Sequence, residues 1–131
     1  MSPTTGFVAC FTLTLVLLGM AVLAGRRARR RRHIAFVASA LAALGLTIWF
    51  ALALGKIYDL KTAGIITPIH LTLAKVTTAA YALPIVAGLM TLRSPSMRPV
   101  HKKLAYVVLA MTVLCAITGT IMILRAEKLA Q

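Results

Sequence analysis

Four long apolar segments constrain the fold of this chain more than any other feature of its sequence. They cover about residues 7–25, 34–55, 65–92 and 104–124, and nearly all charged side chains lie outside them. A helix of roughly 20 residues crosses a bilayer core, so each segment is long enough to span a membrane. Because the bilayer core holds no water, each segment must satisfy its own backbone hydrogen bonds, which favours helices.

The composition agrees with a membrane protein. Of the 131 residues, 60% are hydrophobic, and only two acidic residues accompany fifteen Lys and Arg residues. A soluble domain of this length could not bury so much apolar side chain. We therefore predict an all-α integral membrane protein with a single domain over residues 1–131. Short connections between the segments favour an up-down-up-down four-helix bundle.

A basic segment, "RRARRRRH" at residues 26–33, separates the first two apolar segments. Ten of the fifteen cations lie in the connections after the first and third segments, whereas four lie on the opposite side. Short basic loops stay in the cytoplasm, so we predict that both termini lie outside. Anionic lipids are the expected partners of these cations, and nucleic acid is not, because the block is short, tethered and free of aromatic residues. Residues 1–6 carry no positive charge, so we expect the first segment to remain as a helix and not to be a cleaved signal peptide.

Motifs for bond-making chemistry are missing from the sequence. It contains no Walker, GxSxG or HExxH motif, so we predict no catalytic residue. The absence of CxxCH excludes the motif for covalent haem attachment. Cys10 and Cys115 differ in predicted depth by about 9 Å, which favours two free thiols.

All three histidines stand near the start of an apolar segment. In the predicted topology, His33 and His101 lie at a similar depth on the cytoplasmic side, on helices that are diagonal neighbours in a simple bundle. Two imidazoles placed in this way can ligate one haem iron from opposite faces. The sequence therefore predicts a b-type haem with His33 and His101 as axial ligands. Beyond this shared position of the histidines, no internal repeat is evident.

Basic residues next to these histidines would complete such a site. Arg32, Lys102 and Lys103 flank His33 and His101, and we expect them to neutralise the haem propionates. The helical positions that follow each histidine combine small residues with a few hydroxyl groups, which leaves room for a porphyrin and equally promotes helix packing. These positions are Val37, Ala40, Leu44, Thr47 and Ala51 after His33, and Ala105, Val108, Thr112, Cys115 and Gly119 after His101.

His70 lies at the opposite, outer end in this topology. It could hold a second haem together with Met122, and a copper site with Cys10 is the alternative. Lys75 can extend to the outer surface, or it can contact a propionate or a quinone oxygen. The helical face of His70 continues through a partly polar stripe that we expect to point inward, formed by Ala74, Thr77, Tyr81, Pro84 and Gly88.

Three blocks, "RRRRHIAFVASA", "ITPIHLTLAKVTTAAYALPI" and "RPVHKKLAYVVLAMTVLCAITG", resemble a family of small four-helix bacterial membrane proteins of the YozB/CtaM type. That family is tied to the maturation of haem-copper cytochrome oxidases, and the resemblance covers about residues 27–124. The third block is also similar to helix starts in membrane b-type cytochromes. The resemblance implies a protein of the bacterial cytoplasmic (inner) membrane, with functional histidines and with respiratory oxidase subunits among its partners.

Three functions remain open at this point. The first is a membrane protein that binds one b-type haem, or two, and acts in electron transfer or in the maturation of a respiratory oxidase. The second is a cofactor-free accessory or assembly subunit of a membrane complex. The third is a quinol-reactive redox enzyme that uses His70, Tyr81 and Lys75, with quinone or another electron carrier as its partner.

Overall fold

Helices make up most of the chain, and the predicted all-α class is confirmed. The computed structural model describes residues 2–129. Its five α-helices are α1 (Pro3–Arg26), α2 (Arg30–Leu54), α3 (Ile66–Ala80), α4 (Ala82–Thr91) and α5 (Arg98–Arg125). Two short 3₁₀ helices, Leu60–Ala63 and Pro95–Met97, and two paired strands, β1 (Tyr58–Asp59) and β2 (Glu127–Lys128), complete the described elements.

Four helical stretches are long and apolar enough to cross a membrane. They are Pro3–Arg26, Arg30–Leu54, Ile66–Thr91 and Pro95–Arg125. Only 17% to 22% of the most apolar part of each stretch is buried, so large apolar side chains such as Trp49 and Leu124 are exposed. An apolar exterior of this kind is compatible with a protein that crosses a membrane several times.

The helices extend beyond the apolar segments that the sequence marks. α1 begins at Pro3, α2 at Arg30 and α5 at Arg98, so several of the basic residues lie in first helical turns and not in loops. Only the part of a helix that lies in lipid has to be apolar, and hydropathy therefore underestimates the length of each helix. His33 and His101 are each the fourth residue of their helix, and His70 is the fifth.

The described chain forms two compact units, one up to Tyr58 and one from Asp59 onward. The first unit consists of α1 and α2, and we call it the first hairpin. The second unit has α3 and α4 as one arm and α5 as the other, and we call it the second hairpin. In both hairpins the contacts join the end of one arm to the beginning of the other, so the arms are antiparallel.

The first hairpin turns within three residues. Ala28 has a φ of 53°, and this left-handed conformation brings the amide of Arg29 back to the carbonyl oxygen of Ala24 at 2.9 Å. At the other end, a Cβ on Gly6 would lie 2.4 Å from the ring of Phe50, so only glycine permits this approach. The remaining buried positions are almost all small: Thr14, Ala21 and Ala24 on α1, and Ala40, Ala43, Thr47 and Leu54 on α2.

The second hairpin has an interrupted first arm. Helix α3 ends at Ala80 and α4 begins at Ala82. Pro84 lacks the amide that would donate to the carbonyl oxygen of Ala80, and its ring disfavours a straight helix, which explains the break at Tyr81. The arms are joined through residues 92–97, and the buried residues of α3, α4 and α5 are Thr77, Pro84, Ala87, Val108, Thr112 and Met122. At the opposite end, the amide of Glu127 donates to the hydroxyl of Thr62 at 2.8 Å.

Candidate functional site

His33 is half-buried against the helix that precedes it. Its Nδ1 lies 2.7 Å from the carbonyl oxygen of Ala21 on α1. The imidazole ring also packs on Gly25, one helical turn further along α1, where a Cβ would lie 3.1 Å from Nδ1. The carbonyl oxygen and the bare glycine backbone together hold the ring in one place.

His101 makes the same pair of contacts in the second hairpin. Its Nδ1 lies 2.8 Å from the carbonyl oxygen of Pro84 on α4. Its ring packs on Gly88, again one turn after the accepting carbonyl, where a Cβ would lie 3.1 Å from Cε1 and 3.2 Å from Nδ1. We call this arrangement the His–carbonyl–Gly contact; it consists of His33, Ala21 and Gly25 in the first hairpin and of His101, Pro84 and Gly88 in the second.

These contacts determine where each imidazole carries its proton. A carbonyl oxygen can only accept, so Nδ1 of His33 and of His101 is the donating nitrogen. In the neutral ring the lone pair then lies on Nε2. Histidines that ligate metals commonly donate their other ring N–H to a carbonyl in just this way, which fixes the tautomer and the ring orientation. In each of the two histidines, Nε2 is therefore the ring nitrogen with the lone pair that a metal would need.

His70 is also held through Nδ1, but by a side chain. The hydroxyl of Thr118 donates to the carbonyl oxygen of Leu114 at 2.9 Å, so its oxygen accepts from Nδ1 of His70 at 3.0 Å. The ring packs on Gly119, where a Cβ would lie 2.8 Å from Cε1. Its contacts on α5 lie about 27 Å along the helix axis from His101, so His70 and His101 do not meet at one metal.

Two further polar contacts join α5 to α3 and to the break after it. The hydroxyl of Thr112 donates to the carbonyl oxygen of Val108, and Tyr81 donates to Thr112 at 2.7 Å. Thr77 Oγ1 lies 3.3 Å from Sγ of Cys115. The predicted inward direction of the stripe after His70 is thus confirmed, since Thr77, Tyr81, Pro84 and Gly88 all contact α5.

The two hairpins repeat one pattern that the sequence interpretation missed. Adding 63 to a residue number on α1, or 68 to one on α2, gives the equivalent position in the second hairpin. This rule relates the two His–carbonyl–Gly contacts, and it also relates the 3.2 Å contact between Thr14 and Thr47 to the contact between Thr77 and Cys115. Buried positions correspond as well: Ala24 with Ala87, Ala40 with Val108, and Leu54 with Met122.

A short sequence signal for this repeat exists. "AVLAG" at residues 21–25 and "PIVAG" at residues 84–88 place the accepting carbonyl first and the glycine last. The match is only five residues long, and the histidine follows the glycine after 8 residues in one hairpin and after 13 in the other. An alignment with one constant offset therefore does not reveal it.

The small-residue faces that follow His33 and His101 serve packing within each hairpin. On α5, Val108 is buried, while Thr112, Cys115 and Gly119 contact the preceding arm. On α2, Ala40 and Thr47 are buried in the first hairpin. Of the two roles that the sequence left open for these faces, the structure displays close helix packing.

The other candidate residues have separate positions. Arg32, Lys102 and Lys103 are exposed near the starts of α2 and α5, each within two residues of His33 or His101. Lys75 is exposed on α3, and Met122 is buried on α5 in the turn after Gly119. Cys10 and Cys115 are both free. Within residues 2–129, no group of three or more His, Cys, Asp or Glu side chains is arranged to hold a metal ion.

Comparison with known proteins identifies no relative of this chain. No protein-family model, curated protein sequence or solved structure matches the chain.

Proposed function

We propose that this chain is a b-type haem protein of the bacterial cytoplasmic membrane, with His33 and His101 as axial ligands. It acts in electron transfer or in the maturation of a respiratory oxidase. The proposal includes four membrane-spanning stretches in up-down-up-down order, with both termini outside and the basic connections of the two hairpins at the cytoplasmic surface. The resemblance to the YozB/CtaM-type family supports the link to oxidase maturation.

One observation carries the haem proposal: the His–carbonyl–Gly contact occurs twice. Each hairpin thereby provides one imidazole whose Nδ1 donates to a backbone carbonyl oxygen. In the neutral ring Nε2 then carries the lone pair, and we propose it as the ligating nitrogen. Haem supplies a one-electron couple when it is bound, and two axial imidazoles leave no coordination position for a substrate. Electron transfer or haem handling is therefore the natural task of such a protein.

Basic residues beside the two ligands have a role in this proposal. Arg32, Lys102 and Lys103 are within two residues of a ligand histidine along the chain, and each can pair with a propionate carboxylate. Because these side chains are exposed, each pair stabilises the complex by only about 0.3 to 1 kcal/mol, or about two- to five-fold in affinity. We expect Arg32→Gln to weaken haem binding by that factor and Lys61→Gln, which removes an exposed cation at the other end of the second hairpin, to leave it unchanged.

Absorption spectra of the full chain in detergent test the proposal. The wild type, incubated with haem, should show a Soret band that shifts on reduction, as a six-coordinate low-spin haem does. His33→Ala and His101→Ala should each lose that low-spin spectrum, whereas His70→Ala should keep it. A wild type that takes up no haem and copurifies with oxidase subunits would instead support the cofactor-free accessory subunit. Loss of the low-spin spectrum only in His70→Ala would assign the ligand to the other end of the second hairpin.

A further inference from the structure

His33 and His101, the proposed ligands, each pack on a glycine. The imidazole ring fits there because glycine has no side chain. A Cβ at Gly25 would approach Nδ1 of His33 to 3.1 Å, and a Cβ at Gly88 would approach Cε1 of His101 to the same distance. These distances are shorter than ordinary van der Waals contact, so an added methyl group would displace the ring by a few tenths of an ångström. The atoms that the methyl group would push away are Nδ1, which donates to the carbonyl oxygen, and its ring neighbour Cε1.

Two other helical glycines do not have this property. Gly19 on α1 and Gly45 on α2 have nothing within 4 Å of the position that a Cβ would take. Helix propensity alone would favour alanine at Gly25 and Gly88 as much as at these positions, by about 1 kcal/mol. The contact with the imidazole therefore distinguishes Gly25 and Gly88 from glycines that merely occur in a helix.

The repeat supplies an independent argument for a role of the glycines. Gly25 and Gly88 are equivalent under the offset of 63, as are the carbonyl oxygens of Ala21 and Pro84. The chain from the glycine to the histidine is five residues longer in the second hairpin, and the residue that provides the carbonyl oxygen is different. The ring, the accepting oxygen and the bare backbone one turn later nevertheless recur together, which indicates that the three act as one unit.

We propose that Gly25 and Gly88 are positioning residues, which hold His33 and His101 in the tautomer with the proton on Nδ1 and thereby make Nε2 the ligating nitrogen. The identity of the ligand, haem, rests on the proposed function; the effect of the glycines on the imidazoles does not. A strong bond from Nδ1–H to a carbonyl oxygen increases the electron donation of the imidazole to a metal. The glycines thus also favour the ferric state of a haem held by these histidines.

The first test needs no haem. The full chain, labelled with ¹⁵N-histidine in detergent micelles, reports the tautomer of each imidazole through its ring-nitrogen chemical shifts. Single histidine variants assign the signals. We expect the Nδ1–H tautomer at His33 and His101 in the wild type, and a shift of His33 towards the other tautomer in Gly25→Ala with His101 unchanged. Gly88→Ala should give the converse, and Gly19→Ala and Gly45→Ala should change neither.

The unaffected histidine in each glycine variant shows whether the rest of the chain is still folded. If His33 keeps its wild-type ring-nitrogen shifts in Gly25→Ala, and His101 does so in Gly88→Ala, the positioning role is wrong. The inference also fails if the wild-type rings carry their proton on Nε2.

The second test uses the haem-loaded protein. Gly25→Ala and Gly88→Ala should each raise the reduction potential, because a weaker bond from Nδ1–H makes the imidazole a weaker donor to ferric iron. Gly119→Ala, which affects His70, should leave the potential unchanged. Haem-loaded variants with the wild-type potential would overturn the positioning role. A wild type that binds no haem but shows the expected tautomer changes would refute the proposed function alone.

Discussion

The two hairpins share one pattern of contacts but differ in how many contacts between polar side chains join their arms. In the first, Thr14 and Thr47 form the contact between hydroxyl groups inside the apolar interface. In the second, the equivalent contact joins Thr77 to Cys115, and two more contacts accompany it, from Tyr81 to Thr112 and from His70 to Thr118. Small residues pack both hairpins, and the second has more contacts between polar side chains of its two arms than the first.

This difference shows which contacts occur in both hairpins and which occur only in the second. The positions equivalent to His70 and Tyr81 in the first hairpin are Phe7 and Leu18, which can form no such bonds. The His–carbonyl–Gly contact, in contrast, is retained in both. Polar contacts between helices in a membrane contribute about 0.6 kcal/mol on average, so the extra bonds adjust the second hairpin without defining its fold.

The largest effect on stability should come from a side chain that is too large for the buried position that Thr14 and Thr77 share. Thr14 is 1% exposed and Thr77 is 4% exposed, so Thr14→Leu and Thr77→Leu force extra volume between closely packed helices. We expect each to lower the free energy of unfolding by about 1 to 3 kcal/mol, measured by unfolding in mixed micelles. Thr12→Leu and Thr78→Leu are the matched controls, because both threonines are exposed. A Thr77→Leu variant as stable as Thr78→Leu would break the equivalence of the hairpins.

A smaller effect should come from the turns that join the arms. The first hairpin turns through Ala28 in a left-handed conformation, which costs an alanine about 1 kcal/mol that glycine does not pay. Ala28→Gly should therefore raise the free energy of unfolding by about 0.5 to 1 kcal/mol. Ser94→Gly in the connection of the second hairpin is the control, since Ser94 has a φ of −136° and gains nothing from glycine. Destabilisation by Ala28→Gly would show that the turn is not strained.

The smallest effect should come from a bond that only the second hairpin has. Tyr81→Phe removes the hydroxyl that donates to Thr112, while Thr112 keeps its own bond to the carbonyl oxygen of Val108. We expect a loss of about 0.6 kcal/mol, and none from Tyr106→Phe, because Tyr106 is exposed. The same unfolding assay measures both. A loss of several kcal/mol would mean that the hydrogen bonds, and not the small residues, hold the second hairpin together.

Hydropathy predicted the helices well, because a long apolar segment has few alternatives to a helix in lipid. It did not predict the first turns of α2 and α5, because these turns begin with the basic residues Arg30 and Arg98 and lie outside the apolar segments. The break at Tyr81 was also missed. Pro84 is visible in the sequence, but a proline in a membrane helix does not by itself say whether the helix bends or breaks.

The candidate histidines were found from their positions, whereas their contacts were not. Nothing in the sequence relates Nδ1 of His33 to a carbonyl oxygen twelve residues earlier, because that contact depends on the length of the turn and the rotation of two helices. Gly25 and Gly88 were overlooked for the same reason. Glycines are common in membrane helices, and only the contacts with the imidazole rings distinguish these two from Gly19 and Gly45. The pairing of His33 with His101 at one iron stays a prediction.

The starts of α2 and α5 have a further consequence. Both helices begin with cations, and within the described chain neither first turn contains an acidic residue or a side-chain cap. Positive charge at this end opposes the helix dipole by about 0.3 to 1 kcal/mol for each cation. In the proposed membrane topology these first-turn amides face the headgroups of the bilayer. The content of anionic headgroups would then contribute to the folding free energy of each hairpin.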